Sequence, residues 1–364
     1  MASKKKKSNA KAVIFVIEFI IIALLIFLLV KFVIPMTQQT ETGGLNVVKI
    51  DEVKPEEIGI SEEVQQMVEE SPMTDYLNIA FFGIDATSSS VSALEKGSRS
   101  DCIMICSINQ NNGEVKLVSV YRDTYLNTGN DYYQKCNAAY AIGGGNAAVA
   151  MLNSNLDLNI TNWIAVSYKA LADAVDSLGG VYIDVDAAEI GHLNAYQIPI
   201  AEILKTEYTP VSEVGYQKLN GIQAAAYCRI RYTAGDDFKR TERQREVLQA
   251  LIDQAKKTDT DTLVSTFNKC AGSTLTSIDS ATLLSFVKNI GSYKIVDQGG
   301  FPEESMRSTG TLGAKGSCVL PVDLKNNVIW LHKFLFDDQE YTPTSKVIEY
   351  SGRVSSDIST YLGN

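Results

Sequence analysis

Residues 99–123 read RSDCIMICSINQNNGEVKLVSVYRD, two apolar runs (102–108 and 115–121) on either side of Asn111-Asn112-Gly113. Short runs rich in Ile and Val, joined by Asn-Gly turn chemistry, predict a β-hairpin. With the turn centred near Asn112, counting outward sets Asp101 opposite Arg122 and Asp123 at the open end of the ribbon. Two motifs separated in sequence then form one site, with Arg99 just before it. Upstream, LNIAFFGID (77–85) predicts an apolar strand that ends in Asp85, a third carboxylate for the same place. Carboxylates with room left for water and phosphate suit Mg²⁺ or Mn²⁺ rather than zinc. The same charges also read as a structural salt-bridge cluster at a sheet edge, since ion-pair networks perturb titration too.

A second stretch breaks the charge balance of the chain. Residues 228–248, CRIRYTAGDDFKRTERQREVL, carry six basic residues and four acidic ones in a protein of net charge -10. Tyr227, Arg229 and Arg231 alternate with Cys228, Ile230 and Tyr232, so an extended segment is expected with both arginines on one side. A Gly235-Asp236-Asp237 turn follows, with Asp237 as the expected N-cap of a helix. The apolar stripe of that helix is Val247, Leu248, Leu251 and Ile252. Three- and four-residue steps back from it land on Arg240, Arg243 and Gln244, which therefore face inward, while Glu242, Glu246, Gln249 and Asp253 supply the outer face. Inward guanidinium groups need anions, and several together point to phosphate, which they bind as a bidentate fork.

The chain opens MASKKKKSNAK and then runs through 19 residues (12–30) with Glu18 as the only charge. As a helix this run measures about 28 Å, close to the hydrocarbon thickness of a bilayer. No small-residue cleavage site follows and no Cys lies near its end, so an uncleaved anchor over 12–35 is expected. The lysines of the 1–11 tail hold the N-terminus in the cytoplasm, which makes the chain a single-pass membrane protein with its remainder outside. Setting aside six lysines (Lys4, Lys5, Lys6, Lys7, Lys11, Lys31) and Glu18 leaves 27 basic and 42 acidic residues, a net of -15 for that exterior part. Nucleic acid is a poor partner for such a charge.

Residues 36–74, rich in Thr, Gln, Glu and Gly, read as a stalk, partly helical around 61–70. From 75 to 362 no repeat or second linker appears, and a single α/β domain is expected. Its middle alternates strand 163–166, helix 168–178 and strand 181–185, preceded by an Ala-rich helix near 146–155. The Gly143-Gly144-Gly145 run reads as a turn, because it lacks the Lys-Ser/Thr of a nucleotide loop. Only His192 and His332 occur, too far apart for histidine chemistry. The six cysteines show no metal-ligand spacing; buried free thiols are the default, with a Cys270–Cys318 disulfide as the alternative outside the membrane.

The motifs AFFGID, GSRSDCIM, VSVYRDTYL, KCNAAYAIGG, SLGGVYIDV, LNGIQAAAYCRIRY and GDDFKRTERQREVL, in this order, resemble the LytR-CpsA-Psr family of cell-envelope proteins. Residues 316–321 (GSCVLP) and the following LHKFLF resemble the family's domain end. The resemblance implies one extracytoplasmic domain with a central mixed β-sheet flanked by helices, behind a single anchor helix in a Gram-positive-type envelope. It implies a phosphotransferase that takes an anionic glycopolymer, such as teichoic acid or capsular polysaccharide, from a polyprenyl pyrophosphate carrier and joins it through a phosphodiester to peptidoglycan. Asp85 and Asp101 match the family's divalent-metal carboxylates. Arg99, Arg122, Lys135, Arg229, Arg231, Arg240 and Gln244 match its pyrophosphate and head-group contacts, and Asp123 and Asp237 match acidic positions beside them; Arg243 is expected in support. Tyr121 stands where many relatives have proline, and Cys136 where an aliphatic residue is usual.

Metal and arginines together would neutralise the pyrophosphate and the departing polyprenyl phosphate, so catalysis rests on positioning and electrostatics. Asp101 and Asp123 are the candidates for removing the acceptor proton. Two other readings use the same residues: a non-catalytic polyprenyl-glycan scaffold or envelope regulator, and a hydrolase with water as acceptor.

Overall fold

A computed structural model describes residues 46–47, 54–84, 92–231, 236–255, 257–271, 273–278 and 294–362. The expected tail and anchor (1–35), and Asp85, lie outside the described residues. Among the described residues no helix is long and apolar enough to cross a membrane.

In chain order the strands are β1 (Asn46–Val47), β2 (Tyr76–Ile84), β3 (Ser100–Asn109), β4 (Glu114–Val120), β5 (Tyr125–Asn127), β6 (Tyr133–Lys135), β7 (Asn162–Ser167), β8 (Val181–Val185), β9 (Gly215–Leu219), β10 (Thr274–Thr276), β11 (Lys294–Phe301), β12 (Arg307–Thr311) and β13 (Ser317–Pro321). Seven of them make the central sheet in the order β1-β10-β7-β2-β3-β4-β11. The sheet is mixed: β2 is antiparallel to β3 and parallel to β7, while β4 is antiparallel to β3 and parallel to β11. The hairpin forms where the Asn-Asn-Gly turn predicts it. Its register pairs Ile108 with Val115 and Met104 with Ser119. Carried three residues further, that register sets Asp101 against Arg122.

Alternation along the strands fills a core on each face of the sheet. On β3, Ile103 and Ile105 join one core while Met104, Cys106 and Ile108 join the other. The first face is covered by helices α1 (Glu62–Glu70), α2 (Ala138–Leu156), α8 (Leu324–Phe336) and α9 (Ser345–Leu362). The second is covered by α3 (Tyr168–Ser177), α4 (Ala187–Leu204), α5 (Gly221–Tyr227), α6 (Asp236–Ala255), α7 (Thr260–Ala271) and the β8–β9 ribbon. Phe82, fully buried on the first face, stabilises the fold by about 2–3 kcal/mol through burial alone.

Four sequence expectations change. The later part of the expected stalk is packed onto the body: Ile58, Ile60, Val64 and Met73 are buried, and Ser61 caps α1 by accepting a hydrogen bond from the Val64 amide. The 181–185 strand exists but pairs only with β9, outside the central sheet. The 143–145 turn lies inside α2 as a kink, with Gly143 and Gly144 non-helical; Gly144 has φ +68°, and a Cβ there would stand 2.1 Å from the Glu95 carbonyl oxygen. The Tyr227–Arg231 segment is not extended. Asn220 and Gln223 form a capping box that starts α5, and Ala224, Ala225 and Ala226 carry the helix to Tyr227. All six cysteines are free; Cys270 and Cys318 belong to the two different cores, which rules out their disulfide.

Candidate active site

The site forms at one end of the sheet, where β2, β4 and β7 finish and β3 begins. Asp101, the second residue of β3, accepts a hydrogen bond at Oδ1 from Arg122, just past β4. Its Oδ2 accepts one of 3.1 Å from the hydroxyl of Tyr168. Burial works against the charge of Asp101, yet Arg122, then Arg240, together with the hydrogen bonds from Arg122 and Tyr168, outweigh it and hold the carboxyl below the usual carboxylate range. Tyr168 is there because β7 runs parallel to β2 with Ser167 level with Ile84, and Ser167 then caps α3 by accepting from the Ala170 amide.

Asp123 is a second centre. Its Oδ1 lies 3.4 Å from Lys135 Nζ and 3.9 Å from Arg122 Nε, and its Oδ2 lies 3.7 Å from Arg231 Nη2. Lys135 is brought in by the β5–β6 hairpin, which pairs it with Tyr125. These are ion pairs at loose distance around a largely buried carboxylate.

Helix α6 roofs the site. Arg240, buried, donates through Nη2 to the Asp101 carbonyl oxygen at 3.2 Å, and Gln244 Nε2 lies 3.5 Å from the carbonyl oxygens of Asp101 and Cys228. The inward phase predicted for both residues holds. Arg243 is also inward, but its recorded bonds run elsewhere: Nε donates to Glu189 at 2.7 Å and Nη1 to the Ile230 carbonyl at 3.1 Å. It supports the site by bracing α6 against α4. Arg229 stacks on Tyr168 at 5.0 Å and on Tyr196 at 5.5 Å, at the edge of the same cluster. Arg99 is exposed. Asp237 is the second residue of α6 rather than its cap, and its side chain lies outside the described residues, as does Asp85.

Arg122, Lys135, Arg229, Arg231 and Arg240 thus gather around only two described carboxylates, Asp101 and Asp123. A partly buried cluster of five cations suits a polyanion. Beside it lies an apolar cavity of about 170 Å³ walled by Phe81, Ile164, Leu171 and Val247, with Asp101 and Tyr168 also in its lining. Charge and oil meet at one carboxylate.

Sequence reasoning missed two participants. Tyr168 was read only as the start of a helix, although its place after a strand parallel to β2 was a usable signal. Arg307 on β12 lies against Tyr121 at 4.9 Å and Phe238 at 4.2 Å and donates to the Tyr121 hydroxyl at 2.9 Å. No local pattern marks it. It gives a use to the tyrosine that stands before Arg122.

The sequence model of the LytR_cpsA_psr family matches residues 44–317. The chain belongs to the LytR-CpsA-Psr family. Among curated relatives, the "Polyisoprenyl-teichoic acid--peptidoglycan teichoic acid transferase TagT" of Bacillus subtilis (strain 168) is 28% identical over 246 residues, which cover 66% of this chain and 73% of TagT. Solved LytR-CpsA-Psr structures share the fold. Protein gbs0355 of Streptococcus agalactiae aligns with TM-score 0.57 and 22% identity over 77% of this chain and 92% of its own. The family protein YwtF (TagT) with bound octaprenyl pyrophosphate lipid aligns with TM-score 0.50 and 22% identity over 80% of this chain and 97% of its own.

Proposed function

We propose that this protein is a membrane-anchored phosphotransferase that moves an anionic glycopolymer, of teichoic acid or capsular polysaccharide type, from a polyprenyl pyrophosphate carrier to peptidoglycan. The observation that carries the reading is the junction at Asp101 between a cation-rich pocket and an apolar cavity. A polyprenyl pyrophosphate has the same two halves, a polyanion and a hydrocarbon chain. The name of TagT and the lipid bound to its solved structure support the same substrate class.

In this proposal Arg122, Arg231, Arg240 and Lys135 hold the pyrophosphate oxygens, and the prenyl chain enters between Phe81, Ile164 and Leu171. A sugar hydroxyl of the acceptor attacks the glycan-linked phosphorus. The bond from that phosphorus to the bridging oxygen breaks, leaving a phosphodiester and polyprenyl monophosphate, whose new charge Arg122 and Arg240 neutralise. The hydroxyl proton passes to Asp123, whose ion pairs stand at 3.4–3.9 Å, whereas both oxygens of Asp101 are engaged by Arg122 and Tyr168.

Asp101 also fits a divalent cation: it is ionised, and each oxygen has one described hydrogen-bond partner and a second lone-pair direction left over. With Asp85 it would hold Mg²⁺ or Mn²⁺, which would supply further positive charge to the phosphates. The anchor over 12–35 and an exterior catalytic domain complete the proposal.

The test uses the full-length chain with a polyprenyl pyrophosphate glycan, Mg²⁺ and peptidoglycan oligomers, followed by mass spectrometry. A phosphodiester-linked product that falls by about 10²–10³-fold in Arg122→Ala is expected, with loss of rate on chelation. Carrier cleavage without attachment would replace transfer by hydrolysis. Binding with neither product would leave a scaffold.

A further inference from the structure

Across α6 from Asp101 lies a second concavity, of about 470 Å³, that the proposed reaction does not use. Its outer wall is the β8–β9 ribbon. Along that ribbon Val181, Ile183 and Val185 point into the core, so Tyr182 and Asp184 must point out, and Asp184 pairs with Tyr216 on β9. Tyr182 and Tyr216 stack, with centroids 5.6 Å apart and planes 22° from parallel. They remain 45% and 75% exposed. Two outward tyrosines stacked beside a groove gain little from the fold and present open ring faces to solvent.

The inner wall is the outer face of α6. Asp253 accepts a hydrogen bond of 3.0 Å from Gln249 Nε2, and Glu246 accepts one of 2.8 Å from the Tyr227 hydroxyl. The Gln249 carboxamide oxygen, buried in this wall, accepts no hydrogen bond among the described residues. Asp184, Asp186, Glu246 and Asp253 line the groove against Lys239 and Lys257, and the fifth carboxylate, Glu189, is neutralised by Arg243. The groove is therefore acidic, opposite in sign to the pocket on the other side of the helix.

We propose that this groove is a saccharide subsite for uncharged or amine-bearing sugars. A pyranose face carries C–H hydrogens that settle on the negative face of an aromatic ring, as Tyr216 and Tyr182 offer. Its hydroxyl or ammonium groups donate to Asp184, Glu246 and Asp253, and the Gln249 oxygen waits for one more donor. A polymer of phosphodiesters is repelled here by the same carboxylates. Resting on the transferase reading, the occupant is the acceptor glycan rather than the transferred polymer. The groove and the Asp101 pocket are separated by one helix, about 10 Å across.

Calorimetric titration of the full-length protein tests this, with N-acetylglucosamine tetramer, glucosamine tetramer and a glycerol phosphate oligomer as probes. Both sugars are expected to bind, the glucosamine tetramer more tightly, and glycerol phosphate not at this place. Tyr216→Ala and Tyr182→Ala, both changes to exposed side chains, should each weaken sugar binding by about tenfold. Arg122→Ala should leave sugar binding intact, so a failure of the transferase reading is seen separately from a failure of the subsite. Absence of sugar binding in the unsubstituted protein, equal binding in both tyrosine variants, or glycerol phosphate binding that Tyr216→Ala weakens would overturn the proposal.

Discussion

The buried polar clusters around Asp157 and around Asp101 and Asp123 are built on opposite terms. Around Asp157, every donor is neutral and close: the Tyr341 hydroxyl at 2.7 Å, the Thr344 amide at 2.8 Å and the Thr344 hydroxyl at 2.7 Å. His332 stacks on Tyr341 at 3.6 Å, and its Nε2 lies 2.9 Å from the Leu156 carbonyl oxygen, an arrangement the neutral tautomer serves by donating. Around Asp101 and Asp123 most of the groups are cations, with the Tyr168 hydroxyl as a neutral donor to Asp101 and three cations at 3.4–3.9 Å from Asp123. A saturated knot holds α8 and α9 to the body. A cluster in which cations converge on two carboxylates is built to receive an anion.

The difference can be broken from either side. Asp157→Ala strips three buried donors of their acceptor, so a loss of about 4 kcal/mol in denaturant-measured stability is expected, with the transfer rate of the folded fraction unchanged. Arg122→Lys tests the other cluster. It keeps the charge but loses the guanidinium fork, and should lower transfer by about 100-fold while leaving the denaturation midpoint nearly where it was. If Arg122→Lys instead lowered stability as much as Asp157→Ala, the two clusters would be of one kind.

A smaller effect sharpens the contrast through pH. Burial pushes the His332 imidazole down to about 4, against the weaker upward pull of its bond to Leu156. Between that value and about 6.5 the unfolded chain binds a proton that the folded chain refuses, so this contribution is complete above pH 6.5 and lost as pH falls towards 4. Stability should drop by about 2 kcal/mol from pH 7 to pH 5 on this account. His332→Gln should flatten that slope in chemical denaturation, and an unchanged slope would remove His332 from the explanation.

Much of the site was legible because its parts follow from local rules. The Asn-Asn-Gly turn sets the hairpin register by counting, and the count alone brings Asp101 to Arg122. The 3.6-residue period of α6 shows that Arg240 and Gln244 face inward. The same kind of reasoning failed at 227–231, where alternation of side chains looked like a strand, but the capping box at Asn220 and three alanines carry a helix to Tyr227 and turn-type hydrogen bonds follow it. A period of two over five residues is a weak signal, and a capped helix overrides it.

What the sequence by itself determined is therefore what short-range geometry controls: the strands and their hairpin, the charged faces, the ordered motifs of the family and an apolar run long enough for an anchor. Only the tertiary structure decided which cations meet. Tyr168 reaches Asp101 because two strands 83 residues apart run parallel in register, and Lys135 and Arg231, nearly a hundred residues apart in sequence, converge on Asp123. It also turned Arg243 towards Glu189 and away from the pocket, and set two stacked tyrosines over an acidic groove on the far side of the same helix. Contacts of that kind depend on how whole layers pack, and no local period in the chain encodes them.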